Sequence, residues 1–433
     1  MMGVLGSAVM SKFWGEVLLV FGLFGVSSIY FHYGGWVKSV SFFFEVDMVG
    51  GSLILLSLWV IFLSLLSSIS IKSGLNFKHT FVFLMAIMMV CLVLSFSVNN
   101  YILFYISFEV CLVPIMLLVL GWGYQPERVE AGSYLLFYTL FGSLPLFYVL
   151  LKFNFLMGSS YMYWFDYSCG GLCFIFLVGA FLAKFPMYMV HLWLLKAHVE
   201  APVAGSMVLA GILLKLGGYG LIRVLPLYDG SNMFISELIM VTSLLGALNM
   251  AILCLRHLDM KLLVASSSVV HMSLCIGSLF SFNETGYKGS VLMMLSHGLC
   301  SSCLFYMCNM VYERTGSRSL YINKGMLNLM PSMGLWWFLV ISTNMASPPS
   351  INLLSEILMF ISLVSWELKS MFLLAGISFF GAAYSLYLFS FSQHGLFNLG
   401  LSCFNSGSLT EYFIIFLHWA PMNFFIFSVV YLI

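Results

Sequence analysis

Four ionisable residues of this 433-residue sequence stand where charge is costly: Glu109, Lys184, Lys215 and Glu356 each fall inside a long apolar run. An ionised side chain at the centre of a bilayer costs at least about 2.5–3.5 kcal/mol, so four amount to about 10 kcal/mol before any pairing. Such groups must face a bundle interior, water or one another. Two acids and two bases balance, so static buried salt bridges would account for them. The alternative is chemistry. A base or acid taken out of water is disfavoured in its charged form, and its proton affinity then depends on whether a partner charge is near. Moving a carboxylate toward or away from an amine loads and unloads a proton. Histidines extend the set. His191 lies seven residues, two helical turns, after Lys184, and His198 seven further on, while His271 and His297 occupy two other apolar runs. Imidazole titrates near pH 6.5 and passes a proton through either nitrogen, so it suits a relay. No two of these histidines make an i, i+4 pair, which argues against a metal site.

The elements that must carry these groups are membrane helices. Hydrophobic residues make up 62% of the chain and charged residues 8%, against about 25% charged in a soluble protein. A span needs about 20 apolar residues. Apolar runs near 16–36, 51–71, 79–98, 101–122, 131–152, 172–194, 203–224, 234–255, 261–281, 289–311, 332–364, 369–392 and 412–432 give about thirteen spans, or fourteen if Met1–Met10 joins another. Ten-residue alternating segments are absent, so a barrel is excluded. We expect an all-α polytopic bundle, one integral membrane domain over 1–433. The net charge of +1 offers no basic face for nucleic acid.

Prolines interrupt two runs. Lys184-Phe-Pro186 lies inside 172–194, and Pro348-Pro349 splits 332–364. Proline removes a helical hydrogen bond, and a broken helix at membrane depth is tolerated where protein or a water-filled cavity surrounds it. Paired breaks in two halves of a chain suggest inverted repeats; each break lies beside one of the four charges. Loop charges set the topology. Lys12, Lys72, Lys78, Arg128, Lys196, Arg256, Lys261, Arg314, Arg318 and Lys324 fall on alternate loops that we place, with the N-terminus, on the positive inner side. Met1 to Trp14 carry one lysine and no Arg- and Ser-rich pattern, so no removable targeting segment is expected. Cys300-Ser-Ser-Cys303 is the one CxxC and sits mid-span without further ligands, as packing residues would. Ser266, Ser267 and Ser268, just before His271, are candidates to hold water near it, or simply to aid close packing.

The stretch from Lys184-Phe-Pro186 through His191-Leu-Trp-Leu-Leu-Lys196-Ala-His198-Val-Glu200-Ala-Pro202 to Lys215-Leu-Gly-Gly-Tyr-Gly resembles the core of the antiporter-like membrane subunits of respiratory complex I, the NADH:ubiquinone oxidoreductase. So do Glu109 with Trp122-Gly-Tyr-Gln-Pro-Glu-Arg128, Ser296-His297-Gly-Leu with Tyr312-Glu-Arg-Thr, and Pro348-Pro349-Ser-Ile-Asn-Leu-Leu-Ser-Glu356. The likeness runs from about residue 50 to the C-terminus, with its antiporter-like core over about 79–392. It departs at Leu195, where the family usually has proline, at Ser266, where tyrosine is common, and at the N-terminus, where the first family helix looks reduced.

The resemblance implies a proton relay. Glu109 would bias Lys184; Lys215 would pass the proton on by way of His271 and His297; Glu356 would hold it at the exit and couple to the next subunit. His191 and His198 match histidines near the intake. It further implies a multi-pass subunit of the mitochondrial inner membrane, with which the 29 methionines agree, packed against other complex I membrane subunits, including neighbouring antiporter-like ones. NADH, FMN, iron–sulfur clusters and ubiquinone would reside in other subunits, with no cofactor in this chain. A stand-alone cation/proton antiporter and a purely structural membrane scaffold are the competing readings.

Overall fold

A computed structural model of the protein describes residues 14–32, 37–41, 43–69, 71, 77–162, 170–228, 233–397 and 406–427. Lys12, Lys72 and the segment Met1–Met10 lie outside the described residues. In chain order the elements are α1 (Trp14–His32), a hairpin of β1 (Val37–Ser41) and β2 (Phe44–Asp47), α2 (Met48–Ser67), α3 (Lys78–Ser97), α4 (Tyr101–Val110), α5 (Leu112–Trp122), α6 (Arg128–Met157), α7 (Gly171–Lys184), α8 (Leu192–Glu200) and α9 (Val203–Val208). A π-helical turn, Leu209–Leu213, joins α9 to α10 (Leu214–Val224). Then follow α11 (Met233–Cys254), α12 (Met260–Phe280), α13 (Glu284–Thr315), α14 (Met326–Leu329), α15 (Pro331–Asn344), α16 (Ile351–Trp366), α17 (Ser370–Gln393) and α18 (Leu409–Phe424).

Nine helices among the described residues are long and apolar enough to cross a membrane. The difference from about thirteen apolar runs lies in four of them. Two runs are cut by their prolines into α7 with α8 and α15 with α16, so none of these pieces has a full span's length. The runs at 16–36 and 412–432 both continue past the described residues. The hairpin was not foreseen. It occupies the polar gap between two apolar runs, where Phe44-Glu45-Val46-Asp47 alternates as a strand does.

The chain divides into two compact units, residues 1–186 with 200–236, and 187–199 with 237–431. In the first, α7 packs against α6 and α10, and α2 against α1, α3 and α9. Asp47 of the hairpin pairs with Arg223 in the last turn of α10, the end of a helix dipole that favours a cation. In the second, α13 lies against α12, α15, α16 and α18, and its most apolar stretch is wholly enclosed. A helix apolar all round belongs inside. Its last turn is pinned by Arg314, 2.6 Å from Glu411, whose carboxylate also closes a capping box with Ser408 at the start of α18.

Glycine sets the approach of α10 to α7. An added Cβ at Gly217 would meet the Phe185 backbone, and one at Gly220 would collide with the Phe181 ring. We expect Gly220→Ala to lower the unfolding temperature of the purified protein, at a cost of about 1–3 kcal/mol. Gly179→Ala on α7 meets nothing within 4 Å and should leave that temperature unchanged or slightly higher. Equal effects of the two, read by circular dichroism, would show that this approach does not depend on Gly220.

Candidate functional site

In the first unit the site begins where two helices stop. Proline 186 has no N–H and biases Phe185 away from helix, so α7 ends at Lys184 and Phe185 is extended. The α4–α5 span is interrupted for the single residue Cys111, whose backbone stays in the α region with its N–H on Ser107 O one turn back, and Pro114 just beyond removes one donor. Across these two ends Lys184 Nζ donates to Phe108 O at 2.8 Å. The same nitrogen lies 2.9 Å from the centroid of the Phe108 ring and 3.5 Å from Glu109 Oε1. An ammonium here meets a carboxylate, a carbonyl and a π face at once. The lysine is 3% exposed and the carboxylate 16%, so the acid of the pair keeps more access than the base.

Lys215, fully buried, stands just after the π-helical turn. A π turn widens the helix and displaces its carbonyls, and the Lys215 amine is bonded to Ala210 O within that turn.

The second unit holds the histidine cluster. His271, midway along α12, has Nδ1 3.7 Å from Glu356 Oε1 and Nε2 3.4 Å from the hydroxyl of Tyr384 on α17. Its ring centroid lies 5.6 Å from that of His297 on α13. Pro348-Pro349 separates α15 from α16, and Asn352 Nδ2 donates to Thr343 O at 2.7 Å, tying one half to the other. Cys300 comes within 3.5 Å of the Thr343 hydroxyl. His271, Glu356, Tyr384 and Asn344 line a cavity of about 20 Å³, enough for about one water. A titratable imidazole, a carboxylate and a phenol around such a cavity can exchange a proton.

Thus Glu109 meets Lys184, and Glu356 meets His271 and, through it, His297. His191 and His198 sit elsewhere, the first stacked on Tyr188 at 5.5 Å and the second on Phe305 at 4.6 Å. The hydroxyls of Ser266, Ser267 and Ser268 donate to carbonyls one turn back on their own helix at 3.0, 2.8 and 2.6 Å, which favours packing as their role. Three polar groups escaped sequence reasoning. Tyr384 looks like one more aromatic of an apolar run, although a buried phenol usually needs a partner. Glu200 and Lys261, outside the four charges singled out in the apolar runs, are 3% and 1% exposed.

Comparison with known proteins gives a family. Residues 1–95 match the family described as NADH-ubiquinone oxidoreductase chain 4, amino terminus, and residues 98–383 the transmembrane family of NADH:quinone oxidoreductase and Mrp antiporters. The first match begins at residue 1, so the likeness reaches further than the motifs from about residue 50 suggested. NADH-ubiquinone oxidoreductase chain 4 of Ceratitis capitata is 48% identical over 89% of this chain and 87% of its own length. Chain 4 of Locusta migratoria is 48% identical over 89% and 88%. A chain of respiratory complex I from Thermus thermophilus shares the fold at a TM-score of 0.86 and 20% identity, over 99% of each chain. A chain of the Mrp complex from Dietzia sp. DQ12-45-1b does so at 0.82 and 16%, over 98% of this chain and 49% of that one.

The Glu109–Lys184 pair makes a testable statement about coupling. Glu109→Gln strands a buried ammonium, which typically costs about 3–5 kcal/mol, and its measured cost should exceed that of the double variant Glu109→Gln with Lys184→Met. Strictly additive shifts in thermal unfolding would show that the two do not act as a pair.

Proposed function

The chain belongs to the NADH-ubiquinone oxidoreductase chain 4 family, and we propose that it works as a proton-translocating membrane subunit of respiratory complex I. The observation that carries this reading is the contact of Lys184 with Glu109 at the meeting of two helix ends, 3.5 Å apart. Two unit charges about 4 Å apart interact by about 4 kcal/mol at an effective dielectric constant of about 20. Moving one charge through 100 mV of membrane potential takes about 2.3 kcal/mol. A shift of Glu109 toward or away from Lys184 is therefore large enough to drive proton loading and release against that potential.

In this reading Glu109 governs the proton on Lys184, and Lys215 passes protons on by way of His271 and His297. Glu356 holds the proton at the exit and couples to a neighbouring antiporter-like subunit. His191 and His198 serve the intake side. The chain works as one membrane domain over residues 1–433 in the mitochondrial inner membrane. NADH, FMN, iron–sulfur clusters and ubiquinone act in other subunits of the complex, and their redox chemistry drives the protonation changes here. This chain's own work is to hold amines, imidazoles and carboxylates out of bulk water and to move protons among their nitrogen and oxygen atoms. Relatives about half identical over most of their length support the assignment to the complex.

Lys215→Met tests it. The relay requires an amine there, so the complex should assemble normally and NADH-driven proton uptake into vesicles should fall strongly, by about tenfold or more. Intact pumping with diminished assembly would mark Lys215 as a structural residue and defeat the reading.

A further inference from the structure

Lys261 is a buried lysine that the relay described above does not use. It is the second residue of α12, 1% exposed, with Nζ 5.8 Å from the centroid of the Tyr312 ring on α13. The first turn of a helix is the wrong end of the dipole for a cation, and burying an ammonium is costly.

Its surroundings have the form of a mouth. Just before it, Asp259 pairs with Ser319 as an antiparallel bridge. Met260 N–H donates to Arg318 O at 3.1 Å and Leu320 N–H to Leu258 O at 2.8 Å, fixing a rim on which Arg256 and Glu313 are exposed. This is the loop set that the positive residues place on the inner side. Inward from the rim runs a polar seam between α12 and α13. Ser268 and His271 follow Lys261 by seven and ten residues, on one face of α12. On α13, Cys308, Ser301 and His297 precede Tyr312 by four, eleven and fifteen residues, again along one side. The same two helices touch at both ends of the seam, Lys261 over Tyr312 and His271 beside His297. Between them Ser268, Ser301 and Cys308 are buried, and the His198 ring lies flat on Phe305 of α13, between Ser301 and Cys308 in the chain.

We propose that Lys261 is the proton-uptake residue of the second unit, taking a proton at this rim and passing it down the α12–α13 seam, past His198, to His271. The proposal rests on reading His271 as a proton carrier. The distance from Lys261 to His271 is about 15 Å along the helix, too far for one transfer; the His198 imidazole stands between them, and the Ser268 and Ser301 hydroxyls, which donate to Ala265 O and His297 O on their own helices, keep their oxygens open to accept from water there. At each turn an Nζ–H bond of the ammonium breaks, its electron pair stays on nitrogen, and an N–H bond forms on an imidazole. A proton from the inner aqueous side restores the ammonium, and nothing is oxidised or reduced.

The test compares Lys261→Arg, Lys261→Met and Lys215→Met in the intact complex, measuring assembled enzyme and NADH-driven proton uptake into vesicles. Arginine keeps the cation over Tyr312 but does not release a proton. Lys261→Arg should therefore assemble normally and pump about tenfold less or worse. Wild-type pumping by the arginine variant would make Lys261 an anchor and overturn the proposal. If the arginine variant fails to assemble, Lys261→Met decides: an assembled enzyme that pumps poorly supports the proposal, and normal pumping overturns it. Loss of assembly in both assigns the lysine to packing and also overturns it. Normal pumping by Lys215→Met would instead defeat the wider relay, whatever the Lys261 variants do.

Discussion

A charge inside hydrocarbon must be met by the protein itself, and the structure follows from how that is done. Lys184 is met by Glu109, by the carbonyl of Phe108 and by the face of its ring. Intact helices offer no such reception, because their carbonyls are already taken by the turn that follows. The two helix ends that frame the pair exist because Pro186 stops α7 and because the α4–α5 span is interrupted at Cys111. The broken helices are thus what makes a buried ammonium tolerable.

The same principle recurs with different devices. Beside Lys215 the π-helical turn Leu209–Leu213 leaves a carbonyl within reach of the amine. In the second unit the tandem proline separates α15 from α16, and Glu356, on the second piece, lies 3.7 Å from His271 beside a small cavity that the two line together with Tyr384. Where backbone is freed, a titratable group is placed nearby; the unbroken α13 sets His297 among buried sulfur, methyl and small hydroxyl groups. In the proposed relay, the amine that the Glu109 carboxylate and the Phe108 carbonyl hold is the group that gives up its proton.

Much of this was legible because hydrocarbon enforces simple rules. The apolar runs, the breaks at Pro186 and at Pro348-Pro349 and the four isolated charges all follow from composition and proline chemistry. What was not legible depends on contacts between distant residues. No local pattern joins Glu109 to Lys184, 75 or so positions on; only the family likeness suggested it. The π turn has no sequence signature that Leu-Ala-Gly-Ile-Leu would betray. Tyr384 earns its place through a single hydroxyl, and Lys261 was counted with the loop because it is the first residue of its apolar run, whereas the helix already holds it. The glutamates proved more exposed than the lysines, a difference set by the packing of neighbouring helices rather than by residue type. Likewise the serines before His271 are turned to their own helix.

The account stands on protonatable groups in contact with water inside an otherwise apolar bundle. A map of the intact complex at a resolution that shows ordered water tests this most directly. Waters should stand within hydrogen-bonding distance of Lys184 Nζ and Lys215 Nζ in the first unit, and of His271 and Glu356 in the second. Dry, close-packed aliphatic and aromatic side chains around these four groups would contradict it.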